Sequence, residues 1–190
     1  MRESIVLKER VTTSRQEAQW VLRAQCDDRD ALENLLRSIH HSLRRYISGV
    51  VGPTHADDVL QDVLVIVCRR IKSLHTPELL RPWVYRIASR EAFRHLKKET
   101  RWRERATDDS ILNESPAQIA WSPSEMIEQL KSLEYLSPAS RAVLALHFQE
   151  ELSLAEVAAI LKIPLGTVKS RLAYGLNTIR NQLLKKGSNL

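Results

Sequence analysis

The 190-residue sequence predicts an all-α protein, two small helical domains joined by a flexible linker, with a helix-turn-helix in the second. Three observations carry this reading. Apolar residues recur at three- and four-residue spacing along nearly the whole chain, which is the period of a helix face rather than of a strand. Glycine is scarce, at five residues. Charge falls in blocks: residues 81–105 hold nine Lys/Arg against three Glu, residues 162–186 hold six Lys/Arg and no acid, and residues 106–134 hold one Lys against six acids. Two basic blocks parted by an acidic one suit two units that meet an anionic partner.

The bulk composition narrows the class. With 43% apolar and 27% charged residues the chain has the profile of a soluble globular protein. It lacks the ~18 consecutive apolar residues of a membrane span, and the start MRESIVLKERV lacks the apolar stretch of a secretory signal. A cytoplasmic protein without membrane insertion is expected. Two cysteines, Cys26 and Cys68, are too few for a disulfide framework and are expected to be buried thiols. The histidines show no HxxxH or HExxH pattern, and the adjacent His40 and His41 project about 100° apart on a helix, so no metal is expected. No cofactor motif is present either.

In chain order, Leu32, Leu35, Leu36, Ile39, Leu43 and Ile47 form one helical stripe over residues 31–47, which Gly49 and Gly52-Pro53 should stop. Residues 57–71 follow, with Val59, Leu60, Val63, Leu64, Val67 and Ile71 on a broad apolar face. Asp58, Gln61, Asp62, Val65 and Arg69 lie opposite. Pro82 suits the first turn of a long helix over residues 83–102. These helices make a first domain over residues 15–105. Residues 106–125, with two Ser-Pro steps and no sustained period, read as the linker.

The second domain, residues 126–187, opens with Met126, Ile127, Leu130 and Leu133 at helix spacing. Ser137-Pro138 then looks like an N-cap with proline at the first helical position. Ser153-Leu154-Ala155-Glu156 fits a capping box. Leu154, Val157, Ala158 and Leu161 make a short amphipathic helix. After a turn at residues 163–166, Thr167 should cap a second helix with apolar face Val168, Leu172, Leu176, Ile179 and Leu183. Two short helices around so tight a junction suit a helix-turn-helix. Opposite the apolar stripe stand Thr167, Ser170 and Tyr174, flanked by Lys169 and Arg171, residue types that hydrogen-bond base edges and phosphates from a major groove.

The stretch EELSLAEVAAILKIPLGTVKSRL, residues 150–172, resembles the region four helix-turn-helix of bacterial RNA polymerase sigma factors, in the form of the extracytoplasmic-function (ECF) subgroup. HADDVLQDV, residues 55–63, resembles the region two DAEDLxQExF pattern, and RPWVYRIA, residues 81–88, resembles the RxWLYRIA segment that follows it. The resemblance implies a factor that binds core polymerase and directs promoter-specific initiation, often in a stress response, with no catalysis of its own. Its partners would be the β′ clamp helices, the β flap, promoter DNA and an anti-sigma protein. It places Asp58, Gln61, Asp62 and Arg69 on the β′ clamp helices. The minus 10 element would be opened by the stretch carrying Arg86, Arg90, Arg94, Lys97, Lys98 and Arg101, with Trp83, Tyr85, Phe93 and Trp102 as stacking candidates. The minus 35 element would be read by Thr167, Lys169, Ser170, Arg171 and Tyr174.

Two segments depart from the family pattern. Ser89-Arg90-Glu91 stands where an asparagine-containing turn is common, and Tyr174-Gly175-Leu176 stands where Arg-Ala-Arg is common. Base preference therefore does not transfer. The competing reading is a helix-turn-helix regulator that acts without being a polymerase subunit, which calls for a phosphoacceptor or ligand domain at the amino end. A nuclease would need a fourth ligand beside Asp57, Asp58 and Asp62.

Overall fold

A computed structural model describes residues 2–103 and 136–187, with side chains at 14–99 and 136–182. Seven α-helices occur among these: α1 (Arg2–Gln25), α2 (Arg29–Val51), α3 (Pro53–Arg70), α4 (Leu80–Arg103), α5 (Pro138–Leu144), α6 (Leu154–Leu161) and α7 (Leu165–Gly187). The expected helix over 126–133, the proposed linker, Arg101, Trp102 and Leu183 have no described side chain.

The first four helices form one bundle. Asp28 caps α2 by accepting the Ala31 amide at 3.0 Å, and that bond is the main reason its carboxyl is held below the usual range. Gly49 does not end this helix, contrary to the sequence reading. A glycine inside a helix costs about 1 kcal/mol, but Val50 and Val51 beyond it are buried and hold the last turn down. The stop is Gly52, whose φ of 90° needs a residue without Cβ, and Pro53 starts α3 directly. The buried faces are those expected: Leu35, Ile39, Leu43 and Ile47 from α2, and Val59, Leu60, Val63 and Val67 from α3.

Helix α1 was not anticipated as a helix in its own right. It contributes the small residues Ala18, Val21 and Ala24 and a buried acid, Glu17. Arg81, at the start of α4, donates to both oxygens of Glu17 at 3.0 and 2.8 Å, and Ser38 of α2 donates at 3.1 Å. Three helices are thus tied at one buried carboxylate. Buried polar groups of this kind hold a bundle in one register, because any slide would leave the charge unpaired.

In the second unit Ser137 caps α5 through the Ser140 amide at 3.2 Å, with Pro138 next to it, as expected. Residues 145–149 continue as a π-helical turn. The capping box of α6 is complete, with Ser153 and Glu156 each satisfying the other's backbone amide. Lys162 takes a left-handed conformation, φ 54° and ψ 46°, which makes the sharp turn between α6 and α7. Helix α7 begins at Leu165, three residues before the Val168 start that a Thr167 cap implies, so Thr167 lies inside its first turn rather than capping it.

The sequence alone suggested two bundles on a string. The two units also touch: α5 and the π-turn pack on α2, and α6 packs on α4. Ala142, Val143, Leu146, Val157 and Ile160 join the same apolar cluster as Tyr46, Val84 and Ala88.

Candidate nucleic-acid and protein interfaces

Helix α3 presents Asp58, Gln61, Asp62, Val65 and Arg69 to solvent, which is the face its periodicity predicts. Beside it runs a shallow groove with Leu60, Leu64 and Val65 in its floor and Asp57, Gln61 and Arg69 on its rim. Val65 is a bulky apolar residue left 42% exposed among polar ones. Asp57 is held by Arg44 through two bonds of 2.7 and 3.1 Å, which keep its carboxyl below the usual range. Asp62 faces Arg94 at 3.3 Å. Asp57 and Asp62 are therefore drawn to separate cations, and the three acids do not converge as a nuclease site requires.

The basic helix α4 exposes Arg86, Arg90, Arg94, Lys97 and Lys98. The three arginines recur every four residues and so form a row along one side. All three have contacts: Arg94 donates to Glu91 at 2.6 Å, Arg90 lies 3.9 Å from the same carboxylate, and Arg86 reaches the Ala159 carbonyl of α6 at 3.3 Å. Of the aromatic candidates, Trp83 and Phe93 are half-buried against the core. Tyr85 is buried at 2% exposure, its ring edge-on to Tyr46 with centroids 5.4 Å apart. Its hydroxyl donates to Glu150. Burial first, then the neighbouring Glu150 charge, push its pKa far up, so it stays a donor. Tyr85 is accordingly unavailable to an extruded base in this arrangement.

Cys26 and Cys68 are both exposed, against expectation. Cys26 lies in the turn after α1, and Cys68 sits next to Arg69, one step off the apolar stripe, on the groove side of α3.

On α7, Lys169, Ser170 and Tyr174 are exposed, while Thr167 and Arg171 are half-buried. Ser170 bonds the Thr167 carbonyl at 3.1 Å, which leaves its hydroxyl lone pairs outward. The opposite face buries Val168 and Ile179. Gly175, read from sequence as a weak point in the helix, has a packing cause. A Cβ built there would stand 2.8 Å from Cδ1 of Leu144, a fully buried side chain of α5.

Gly175→Ala should therefore destabilise the second unit by about 1 kcal/mol net. Overpacking costs roughly 1–3 kcal/mol and helix propensity returns about 1. Thermal melting checks this, and pairing with Leu144→Val should cost less than the sum of the two single changes.

Two groups escaped sequence reasoning. Glu150 follows the π-turn and is buried at 8% exposure, accepting from Arg45 and Tyr85 of the first bundle. Glutamate carries no local signal of burial, so only the tertiary arrangement shows it. His55 of α3 meets His95 and Glu99 of α4, with one donor atom from each residue within 4.8 Å of the others. Here His55 lies 3.6 Å from the Glu99 carboxylate, a polar contact between the start of α3 and α4.

Comparison with known proteins agrees with this division. Residues 32–102 match the model of sigma-70 region 2, and residues 132–181 match that of sigma-70 region 4. The ECF RNA polymerase sigma factor SigW of Bacillus subtilis is 29% identical over 172 residues, 82% of this chain and 90% of that one. The ECF RNA polymerase sigma-E factor of Escherichia coli is 27% identical over 175 residues, covering 86% and 92%. Among solved structures, the sigma factor RpoE in complex with the anti-sigma factor NepR, from Bartonella quintana, superposes with a TM-score of 0.63 at 23% identity, covering 80% of this chain and 95% of that one. CnrH in complex with the cytosolic domain of CnrY gives 0.63 at 19%, covering 88% and 97%. With both regions in order on one chain, the protein belongs to the ECF sigma factors of the sigma-70 family.

Proposed function

We propose that this chain is the dissociable promoter-recognition subunit of RNA polymerase. In this reading α3 binds the β′ clamp helices through Asp58, Gln61, Asp62 and Arg69, with Val65 as the apolar contact between them. Charged residues ringing an apolar centre give orientation and on-rate, and the centre gives area. The α4 row of Arg86, Arg90 and Arg94, continued by Lys97, Lys98 and Arg101, tracks the phosphates of the opened minus 10 strand. The second unit meets the β flap and sets Thr167, Lys169, Ser170, Arg171 and Tyr174 of α7 in the major groove of the minus 35 element. The chain acts in the cytoplasm and does no covalent chemistry. The domain assignment goes with these roles: residues 15–105 as region two, 106–125 as linker, and 126–187 as region four.

The observation that supports this best is the adjacency of two unlike surfaces on one bundle, a polar-rimmed apolar groove on α3 and an arginine row on α4, with a helix-turn-helix downstream. A DNA-binding regulator without a polymerase partner has no use for the groove. The decisive test is transcription in vitro. Chain plus core polymerase should initiate from promoter fragments that core alone ignores, and failure on every genomic fragment would remove the reading. Replacing Arg171 by Ala should weaken promoter binding by the holoenzyme about tenfold and lower its salt slope by about one phosphate contact. Footprints unchanged at equal concentration and salt would make Arg171 structural.

The RpoE structure contains an anti-sigma factor. An anti-sigma protein is proposed as a partner here too, seated on the α3 groove in competition with polymerase.

A further inference from the structure

Two imidazoles and a carboxylate meet where the start of α3 crosses the later turns of α4. His95 and Glu99 stand four residues apart on α4 and so share a face, the spacing at which one helix can offer two ligands to one ion. His55, in the first turn of α3, supplies the third group, and a donor atom from each residue lies within 4.8 Å of the others. A search for HxxxH or HExxH cannot find this set, because His55 precedes His95 by 40 positions and only the packing of α3 on α4 joins them.

The distances suit a bridging ion better than direct contacts. His55 Nε2 and Glu99 Oε1 are 3.6 Å apart, too long for a hydrogen bond. Two ligands on a tetrahedral ion with bonds of about 2.0–2.1 Å stand ~3.4 Å apart, close to that separation. The His55 and His95 rings have centroids 4.8 Å apart and planes tilted by 48°. Nε2 of His95 is shut off from water and has no hydrogen-bond partner among the described residues, a condition that is unfavourable for a buried ring nitrogen unless some group answers it. The side chains of His55 and Glu99 are 36% and 31% exposed, which gives an ion a path in from solvent.

We propose that His55, His95 and Glu99 bind one divalent transition-metal ion, zinc by preference, which joins α3 to α4. Imidazole nitrogens select zinc and its neighbours, whereas magnesium and calcium take oxygen ligands. Two imidazoles and one carboxylate are a three-ligand set that leaves zinc a fourth position for water. A carboxylate has two oxygens and about four acceptor sites, so Glu99 can ligate an ion beside any other bond it makes. Closing the widest gap from 4.8 Å to the ligand separation asks for about 1.4 Å of movement, within reach of side-chain rotation. His55 precedes Asp58 of the proposed polymerase face by three residues, and Glu99 directly follows Lys97 and Lys98 of the proposed phosphate row. The ion would thus fix those two surfaces relative to each other, a consequence that rests on the promoter reading above, whereas binding of the ion does not.

The test uses the free full-length protein, stripped with a chelator and titrated with zinc chloride by calorimetry. Saturable binding of one ion per chain is expected, and the melting temperature should rise by about 5–10 °C at a hundredfold excess over the dissociation constant. Magnesium chloride at the same concentration should do neither. Loss of an outer-shell partner already lowers metal affinity about 10–100-fold, so Glu99→Gln, His55→Ala and His95→Ala should each weaken zinc binding at least tenfold. Glu99→Gln keeps the side-chain shape, and circular dichroism unchanged in it or in His55→Ala separates a lost ligand from a lost fold. Cobalt(II) in place of zinc should show the visible absorption of a tetrahedral nitrogen and oxygen site, without the thiolate charge-transfer band that the exposed Cys26 or Cys68 would add. Absence of saturable zinc binding, affinity unchanged in the three variants, or a thiolate band would each overturn the proposal. No polymerase enters these measurements, so a failure to initiate transcription would remove the promoter reading and leave the ion site standing.

Discussion

Reversal of Asp58 and Asp62 together to Lys is expected to raise the dissociation constant for core polymerase at least a hundredfold, about 2.7 kcal/mol. Both residues stand on the exposed face of α3, on either side of Gln61. A reversal at such a site removes an attraction and installs a repulsion, and like charges brought together at an interface cost several kcal/mol. The fold should not notice. Asp58 makes no ion pair among those described, and the Asp62–Arg94 pair is exposed on both sides, a class worth about 0–1 kcal/mol. Circular dichroism and melting temperature should stay near wild type while native-gel affinity collapses. Affinity unchanged by the double reversal would remove α3 from the polymerase interface.

Arg81→Ala is expected to be the most damaging single change to stability in the first bundle. Arg81 is the first residue of the RPWVYRIA segment, and its guanidinium bridges both oxygens of Glu17, a carboxylate with 3% side-chain exposure. Removal of one partner of a buried pair leaves an uncompensated charge and typically costs about 3–5 kcal/mol. Arg81 is itself 37% exposed, so water can reach part of the vacated space and the lower end, about 3 kcal/mol, is expected. At roughly 2–4 °C per kcal/mol for a chain of this size, the melting temperature should drop by about 6–12 °C. Joining Glu17→Gln to Arg81→Ala removes the stranded charge and should recover part of the loss. A drop below 2 °C for Arg81→Ala would mean that the pair contributes little.

The same arginine shows what sequence reading reached and what it did not. By sequence Arg81 belongs to a family segment and a basic block, yet in the fold it joins α1 to α4. Periodicity found α2 and α3 because large apolar residues mark their buried faces. It passed over α1, whose face toward the bundle is made of alanines, one valine and Glu17, residues that individually look neutral or solvated. The helix-turn-helix was legible down to its capping box, since Ser153 and Glu156 are local signals. The start of α7 lies three residues before the one Thr167 suggests, because Pro164 and Leu165 offer no side-chain cap to read.

Gly175 illustrates the opposite case. Propensity marked it as a flaw, and the 2.8 Å approach of Leu144 gives it a packing cause. The interface centred on Glu150 was wholly outside the reach of pattern, since nothing near residue 150 marks a carboxylate that is compensated 65 and 105 positions away.

The ion pair between Asp62 and Arg94 has a thermodynamic consequence. Asp62 belongs to the proposed polymerase surface and Arg94 to the proposed promoter surface, and the two side chains hold each other at 3.3 Å. Whatever takes Asp62 away leaves Arg94 with one fewer acid and a stronger pull on phosphate. By linkage, DNA on Arg94 must free Asp62 for polymerase to the same extent. At the 0–1 kcal/mol of an exposed pair the coupling reaches at most about fivefold, and it fades as added salt screens both charges. Polymerase and promoter would thus each sharpen the protein for the other, most strongly in dilute buffer.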